Sequence, residues 1–145
     1  MEKKEVSVRR IVVHTDIFLD YLLHRTSGEP DLRVALRRFF CYTTVFNAVE
    51  LFATARTGRQ RRAIEHSLRA VKILGVNARS AMKYGSLLAR GPALPRMNTL
   101  IAGLCLDSSL PILTGRPDEF RGVREIRIIR PSSVLGAERL RRGAA

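Results

Sequence analysis

Residues 11–22 read Ile11-Val12-Val13-His14-Thr15-Asp16-Ile17-Phe18-Leu19-Asp20-Tyr21-Leu22, and this stretch decides the predicted fold. Its three β-branched residues are typical of a strand buried on both faces, and a helical apolar pattern follows them. In an open α/β sheet, ligands bind at the carboxyl ends of the strands, so His14, Thr15 and Asp16 are candidate site residues. The same residues also suit the start of a helix, with Thr15 or Asp16 as its N-cap. We expect both interpretations to hold.

The length and composition predict a soluble cytoplasmic protein with one folded domain. The chain has 145 residues and is 46% apolar, so it can bury a core, but no apolar run is long enough to span a membrane. The charged N-terminus is not followed by an apolar region, which predicts no secretory signal. We place the domain at residues 1–135 and a basic, flexible tail at 136–145. Cys41 and Cys105 are expected to be reduced packing residues.

The charge is strongly positive. The sequence has 26 Lys and Arg against 13 Asp and Glu, a net charge of +13. Such a surface attracts polyanions, and release of their counterions favours nucleic acid as the partner. An acidic protein partner, or a generally basic proteome, would explain the same charge. The charge by itself predicts no chemistry.

The chain alternates between predicted strands and helices. The strands are expected at residues 9–13, 40–43, 110–114 and 126–129. The helices are expected at 16–24, 31–39 with Asp31 as N-cap, 44–57 with Thr44 as N-cap, 59–72, 77–90 with Asn77 as N-cap, and 96–106. This alternation predicts a three-layer α/β/α domain with a mainly parallel central sheet.

Several polar residues fall at predicted strand ends or in the first turns of helices. They are expected to converge at one edge of the sheet: Asp16, Glu50, Asn98, Thr114 and Asp118. Glu50 lies one and a half turns into its helix, where a surface carboxylate would be ordinary. If the helix starts near the strand ends, however, its carboxylate can point toward Asp16.

The predicted helix 59–72 is strongly basic. It carries Arg59, Arg61, Arg62, Arg69 and Lys72 against a single Glu65. Its exposed face is either simply solvated or contacts phosphates, and the sequence leaves both interpretations open. We take four of these arginines, with Arg116 of the later polar turn, as candidate nucleic-acid contacts.

Four ordered motifs resemble the PIN domain family, and specifically the VapC-type toxins of prokaryotic toxin-antitoxin pairs. They span residues 9–131 and are Val13-His14-Thr15-Asp16; Thr43-Thr44 through Glu50-Leu51; Asn98-Thr99-Leu100-Ile101-Ala102; and Ile112-Leu113-Thr114 with Glu119-Phe120. The resemblance implies a Mg2+ or Mn2+ dependent endoribonuclease. Hard divalent cations suit such chemistry because they bind oxygen ligands, activate water and neutralise phosphate charge.

Site roles follow from this resemblance. It implies that Glu50 is a metal ligand, that Asp16 is an outer ligand holding metal-bound water, and that Thr114 orients the acidic cluster. Asp118 or Glu119 would supply the fourth acid. The family also implies a homodimer and a small antitoxin partner that inserts an arginine into the acidic site.

Two positions depart from the family pattern. His14 stands where the first aspartate is expected, and Asn98 stands where the third acid is expected. These changes remove two negative charges from a site for a dication. Imidazole binds Mn2+ or Zn2+ but is a poor Mg2+ ligand, whereas an amide can coordinate through its oxygen. Alternatively, His14 is a buried, neutral, hydrogen-bonded residue and the metal site is lost.

Three functions therefore compete. The first is a metal-dependent endoribonuclease, weakened or retuned by His14 and Asn98. The second is a catalytically silent PIN domain that binds RNA or a ribonucleoprotein through its basic surface. The third is an interaction protein held by an antitoxin, which the loss of site acids disfavours.

Overall fold

Five parallel strands form the centre of the structure. The computed structural model describes residues 9–90 and 95–134. The strands are β1 (Arg10–Val13), β2 (Phe40–Thr44), β3 (Lys72–Leu74), β4 (Ile112–Leu113) and β5 (Ile128–Ile129). Their order across the sheet is β3-β2-β1-β4-β5, and every pairing is parallel. The expected three-layer α/β/α architecture with a parallel sheet is confirmed.

Helices cover both faces of this sheet. They are α1 (Thr15–Leu22), α2 (Asp31–Arg38), α3 (Val45–Thr54), α4 (Gly58–Leu68), α5 (Ala81–Ala89), α6 (Arg96–Asp107) and α7 (Pro131–Val134). One core cluster packs helices α1, α2, α3 and α4 against the face of the sheet that carries Ile11 and Val13. A second joins α6 to the opposite face, which carries Val12 and Ile112. Because β1 is buried on both faces, all three of its apolar side chains are fully buried.

The start of α3 is fixed by reciprocal capping. The Thr44 hydroxyl accepts a hydrogen bond from the backbone N–H of Asn47, and the Asn47 side chain accepts one from the backbone N–H of Thr44. This arrangement satisfies two backbone donors that would otherwise be unpaired at a buried helix start. The predicted N-cap at Thr44 is therefore confirmed. The reciprocal capping also directs the Asn47 side chain toward the end of β1.

The structure corrects several predicted boundaries. The basic helix ends at Leu68, and Lys72 belongs to the edge strand β3. This strand was missed because its pattern is short and mostly exposed. The N-cap of α1 is His14, so neither Thr15 nor Asp16 caps it, and Asp31 is the first residue of α2 after Pro30. Asn77 caps a short 3-10 turn that runs directly into α5.

Other predictions stand as follows. Asn98 lies in the first turn of α6, as expected. Among the described residues, no helix is long and apolar enough to cross a membrane. Both cysteines are free and buried, also as expected. The predicted tail at 136–145 lies outside the described residues, so the domain boundary there stays a prediction.

Candidate functional site

A polar cleft opens at the carboxyl ends of the central strands. It has a volume of about 290 Å³ and joins residues far apart in sequence: His14, Thr15, Asp16, Leu19, Arg25, Glu50, Arg116 and Glu119. The first three follow β1, Glu50 comes from α3, and Glu119 comes from a 3-10 turn after β4. Of the residues predicted to converge at this edge, Asp16 and Glu50 line the cleft and Thr114 bonds to Asp16, whereas Glu119 lines the cleft in place of Asp118.

His14 is almost completely buried, with 2% of its surface exposed. Its Nε2 lies 2.9 Å from Oε2 of Glu119, and its Nδ1 lies 3.0 Å from Nδ2 of Asn47. The ring edge also contacts Phe120, with 4.9 Å between the ring centroids. Both ring nitrogens therefore have hydrogen-bond partners inside the protein.

The tautomer of His14 follows from Asn47. The backbone N–H of Thr44 can only donate, so the atom of Asn47 that faces it is the amide oxygen. The amide nitrogen of Asn47 then faces His14 and donates to Nδ1. A neutral His14 carries its proton on Nε2 and donates it to the Glu119 carboxylate. This geometry matches the expectation of a buried, hydrogen-bonded histidine.

The same amide group reaches Glu50 through Thr15. Asn47 Nδ2 donates to Thr15 Oγ1 at 2.9 Å, and the Thr15 hydroxyl donates to Glu50 Oε1 at 2.7 Å. The network therefore runs from the α3 cap to two carboxylates at the cleft. Sequence reasoning missed Asn47, and the available signal was its position three residues after the N-cap Thr44.

Asp16 is held by the strand that follows α6. Its carboxylate accepts hydrogen bonds from the Thr114 hydroxyl at 3.2 Å and from the backbone N–H of Gly115 at 2.8 Å. Burial raises the pKa of Asp16 above its ordinary value of 3.8, although these hydrogen bonds act in the opposite direction. Thr114 is fully buried, and its hydroxyl contacts the acid that the resemblance implies it orients.

The structure distinguishes between the two candidates for the fourth acid. Glu119 lines the cleft, bonds to His14, and lies 3.6 Å from Nη1 of Arg116. Asp118 is exposed and pairs with Arg121 at 2.8 Å. Asp118 therefore lies outside the cleft, because the 3-10 turn directs consecutive side chains to different sides.

Asn98 has a structural contact behind the cleft. Its Nδ2 donates to the main-chain oxygen of Glu119 at 3.4 Å, and only 7% of its surface is exposed. It is not among the residues that line the cleft. An ionised aspartate could not donate this hydrogen bond. The amide therefore helps to hold the turn that carries Glu119.

These side chains do not fit a resident divalent ion as they are placed. Within residues 9–90 and 95–134, no three His, Cys, Asp or Glu side chains lie close enough together to hold a metal. Both nitrogens of His14 are in hydrogen bonds, Glu119 is paired with Arg116, and Asn98 does not line the cleft. Mg2+ needs several oxygen ligands in near-octahedral geometry, which this arrangement does not offer.

The candidate arginines lie in different parts of the molecule. Arg116 and Arg25 line the cleft, and sequence reasoning did not identify Arg25. The first half of α4 carries Arg59, Arg61 and Arg62, all exposed. Arg69 lies elsewhere, in a cleft at the amino ends of β2 and β3. The five arginines therefore do not form one surface.

Comparison with known proteins finds similarity in structure only. No protein-family model matches the chain, and no curated protein sequence matches it. A solved complex of VapBC2 from Rickettsia felis, bound to a promoter DNA fragment, matches with a TM-score of 0.70 and 14% identity over 83% of this chain and 98% of that chain. DNA-bound VapBC from Salmonella typhimurium gives 0.69 and 16% over 85% and 98%. VapBC-5 from Mycobacterium tuberculosis gives 0.57 and 23% over 83% and 98%. The chain therefore has the PIN-like fold of VapC toxin structures.

Proposed function

We propose that this protein binds the phosphate backbone of RNA and does not hold the divalent ions of a nuclease. The hydrogen bonding of His14 carries the proposal. Its two ring nitrogens bind Asn47 and Glu119, so the position that should supply a ligand is instead part of a closed network. This is the function expected of a catalytically silent PIN domain.

The charge of the chain supports RNA as the ligand. The net charge of +13 is accompanied by exposed arginines on α4 and by Arg25 and Arg116 at the cleft. A groove lined by α1 and α4 residues shares Leu19 and Arg25 with the cleft, so the first half of α4 borders a surface continuous with it. Phosphates bound along this surface would release counterions.

A metal-dependent endoribonuclease is the second candidate. The observation that favours it is the convergence of Asp16, Glu50 and Glu119 on one cleft. It would use Mg2+ or Mn2+, and it would require Glu119 to leave Arg116 and His14.

One experiment separates the two functions. Wild type and Glu50→Gln are incubated with a pool of structured RNAs in Mg2+, in Mn2+ and in EDTA, and both binding and cleavage are measured. The proposal expects retarded but intact RNA, with equal binding by the two proteins. Cleavage that needs metal and disappears in Glu50→Gln would overturn it in favour of the nuclease.

Salt and charge variants test the binding surface. With roughly six to ten phosphate contacts, affinity should fall about a thousandfold or more between low and moderate salt. The triple change Arg59→Gln, Arg61→Gln and Arg62→Gln should weaken binding and make the salt dependence shallower. A matched control removes the same charge from exposed positions outside α4: Arg79→Gln, Arg96→Gln and Arg124→Gln. Equal effects of the two triples would show that only net charge matters.

Partners belong to the same proposal. The groove beside the cleft is lined by Leu19, Leu22, Leu23 and Ile64, which would accept an apolar segment of a small antitoxin-type protein. The solved neighbours are toxin-antitoxin complexes.

A homodimer is the expected assembly, and Val49 and Phe52 on α3 are exposed apolar residues available for it. Sedimentation of wild type beside Val49→Glu would test the dimer, with a monomeric variant as the expected result.

A further inference from the structure

An aromatic pair, in which Phe40 is exposed and Tyr42 is half-buried, lies at the opposite end of the sheet from the polar cleft. Phe40 begins β2 and is 57% exposed, unlike the buried Phe18, Phe39 and Phe120. Its ring centroid lies 5.1 Å from that of Tyr42. Residues two apart in a strand project from the same face, so both rings belong to one surface of the sheet. The site residues at the carboxyl ends of the strands do not use this surface.

Two cations flank this pair on the neighbouring strands. Arg10 on β1 is the register partner of Phe40, and Lys72 on β3 is the register partner of Tyr42. Register partners in a sheet project to the same side, and adjacent strands lie about 4.8 Å apart. Both cations are exposed, and neither forms an ion pair with any described residue.

Phe40 borders a cleft that carries no negative charge. This cleft has a volume of about 510 Å³ and lies at the amino ends of β2 and β3, where it includes Phe40, Arg69 and Lys72. No acidic residue lines it. An open ring with cations on both sides offers stacking to a planar ligand and attraction to an anionic one. An unpaired nucleobase with its phosphates combines these two properties, and a base inside a duplex has no free face to stack.

We propose that Phe40 stacks on an unpaired base of single-stranded RNA while Arg10, Arg69 and Lys72 bind the adjacent phosphates. The inference rests on the proposed RNA binding and adds a preference for unpaired RNA. The two surfaces lie at opposite ends of the strands, so they can be altered separately. Their separation also gives Arg69 a role distinct from that of Arg59, Arg61 and Arg62.

The test measures fluorescence anisotropy of a labelled single-stranded oligoadenosine RNA and of the same strand in a duplex. Phe40→Ala should weaken binding of the single strand about tenfold and leave duplex binding unchanged. Phe40→Trp should keep the affinity because it keeps an aromatic face. Phe40→Leu should behave like Phe40→Ala, because it keeps apolar bulk without a ring. Met82→Ala is the control, since Met82 is apolar and 84% exposed on α5.

The outcomes separate this inference from the proposed function. If wild type binds neither RNA at low salt, the proposed function fails and this inference fails with it. If wild type binds RNA and Phe40→Ala binds the single strand equally well, only the stacking site is wrong. A lower sedimenting mass of Phe40→Ala with unchanged RNA affinity would assign the patch to contact with a second copy of the chain, which overturns the inference.

Discussion

Asn47 Nδ2 lies 3.0 Å from His14 Nδ1, and in this hydrogen bond the Asn47 amide donates to the ring of the cleft histidine. Because Asn47 donates, His14 accepts at Nδ1 and presents an N–H at Nε2 to Glu119. The same asparagine caps α3 through Thr44. One fully buried side chain therefore couples the start of a helix to the polar groups of the cleft.

Replacing Asn47 should cost much of the stability of the fold. Asn47→Ala removes the side-chain bonds to Thr44, His14 and Thr15 and leaves buried polar atoms without partners. We expect the free energy of unfolding to fall by about 2–4 kcal/mol, measured by urea denaturation. Asn77→Ala is the matched control, because Asn77 also caps a helical turn but is exposed. It should cost about 0.5–1 kcal/mol, and equal losses would show that the buried network adds nothing.

The sequence predicts the order of elements well because its signals are local. The β-branched run of β1 and the N-cap Thr44 each identify an element from neighbouring residues. The polar end of β1 then predicts where Asp16 lies, and the start of α3 near the strand ends predicts that Glu50 can point toward it. Strand β3 was missed because it is an exposed edge of three residues. Strands β4 and β5 were predicted, but each has only two residues and is shorter than expected.

The details of the site could not be predicted because they depend on contacts between distant residues. His14 and Glu119 are 105 positions apart, and no local pattern shows that they bond. Likewise, the choice between Asp118 and Glu119 depends on the rotation of a 3-10 turn. The role of Asn98 became clear only when its amide was found beside the main chain of Glu119. Because of these contacts, the residues that the sequence places at a metal site form a hydrogen-bonded network instead.

The contact between α5 and α6 predicts opposite effects for two glycines. A Cβ at Gly103 would lie 2.6 Å from two ring atoms of Tyr84, and this ring is buried with its hydroxyl bonded to Asp107. Gly103→Ala should therefore lower the free energy of unfolding by about 1–3 kcal/mol. Gly85→Ala on α5 meets no atom within 4 Å and should raise it by about 0.5–1 kcal/mol. Thermal unfolding of both variants checks this, and a stabilised Gly103→Ala would contradict the close packing.

Acidification should increase the contribution of Asp16 to the stability of the folded protein. Burial raises its pKa in the folded protein above 3.8, so the unfolded chain loses this proton first as the pH rises. The contribution of Asp16 to stability is therefore fully present below 3.8 and is lost as the pH rises through the raised pKa. As the pH rises through this range, denaturation should show that wild type loses stability relative to Asp16→Asn. A difference independent of pH would contradict the shift.

Glu125 provides a control of opposite sign for that titration. Its pKa is lowered below 4.5 by its own backbone hydrogen bond and by Arg90. Any stability that it contributes is present above 4.5 and is lost as the pH falls through the lowered pKa. Wild type should therefore lose stability relative to Glu125→Gln on acidification, in the direction opposite to Asp16→Asn.

Placing acids at positions 14 and 98 should create a binding site for Mg2+. His14→Asp with Asn98→Asp breaks the bonds to Asn47 and to the main chain of Glu119, and it adds one negative charge in the cleft and one behind it. In EDTA we expect the double variant to be less stable than wild type, because buried carboxylates repel one another.

Mg2+ should reverse that loss only in the double variant. Binding at one hundred times the dissociation constant stabilises a folded protein by about 2.7 kcal/mol, so the unfolding temperature should rise with Mg2+. Wild type should show little change at the same concentrations, because both ring nitrogens of His14 are in hydrogen bonds and Asn98 carries no negative charge. His14→Asn is the control, since it disrupts the network without adding charge and should not respond to Mg2+. Calorimetry that detects no Mg2+ binding to the double variant would mean that positions 14 and 98 do not share a site with Asp16 and Glu50.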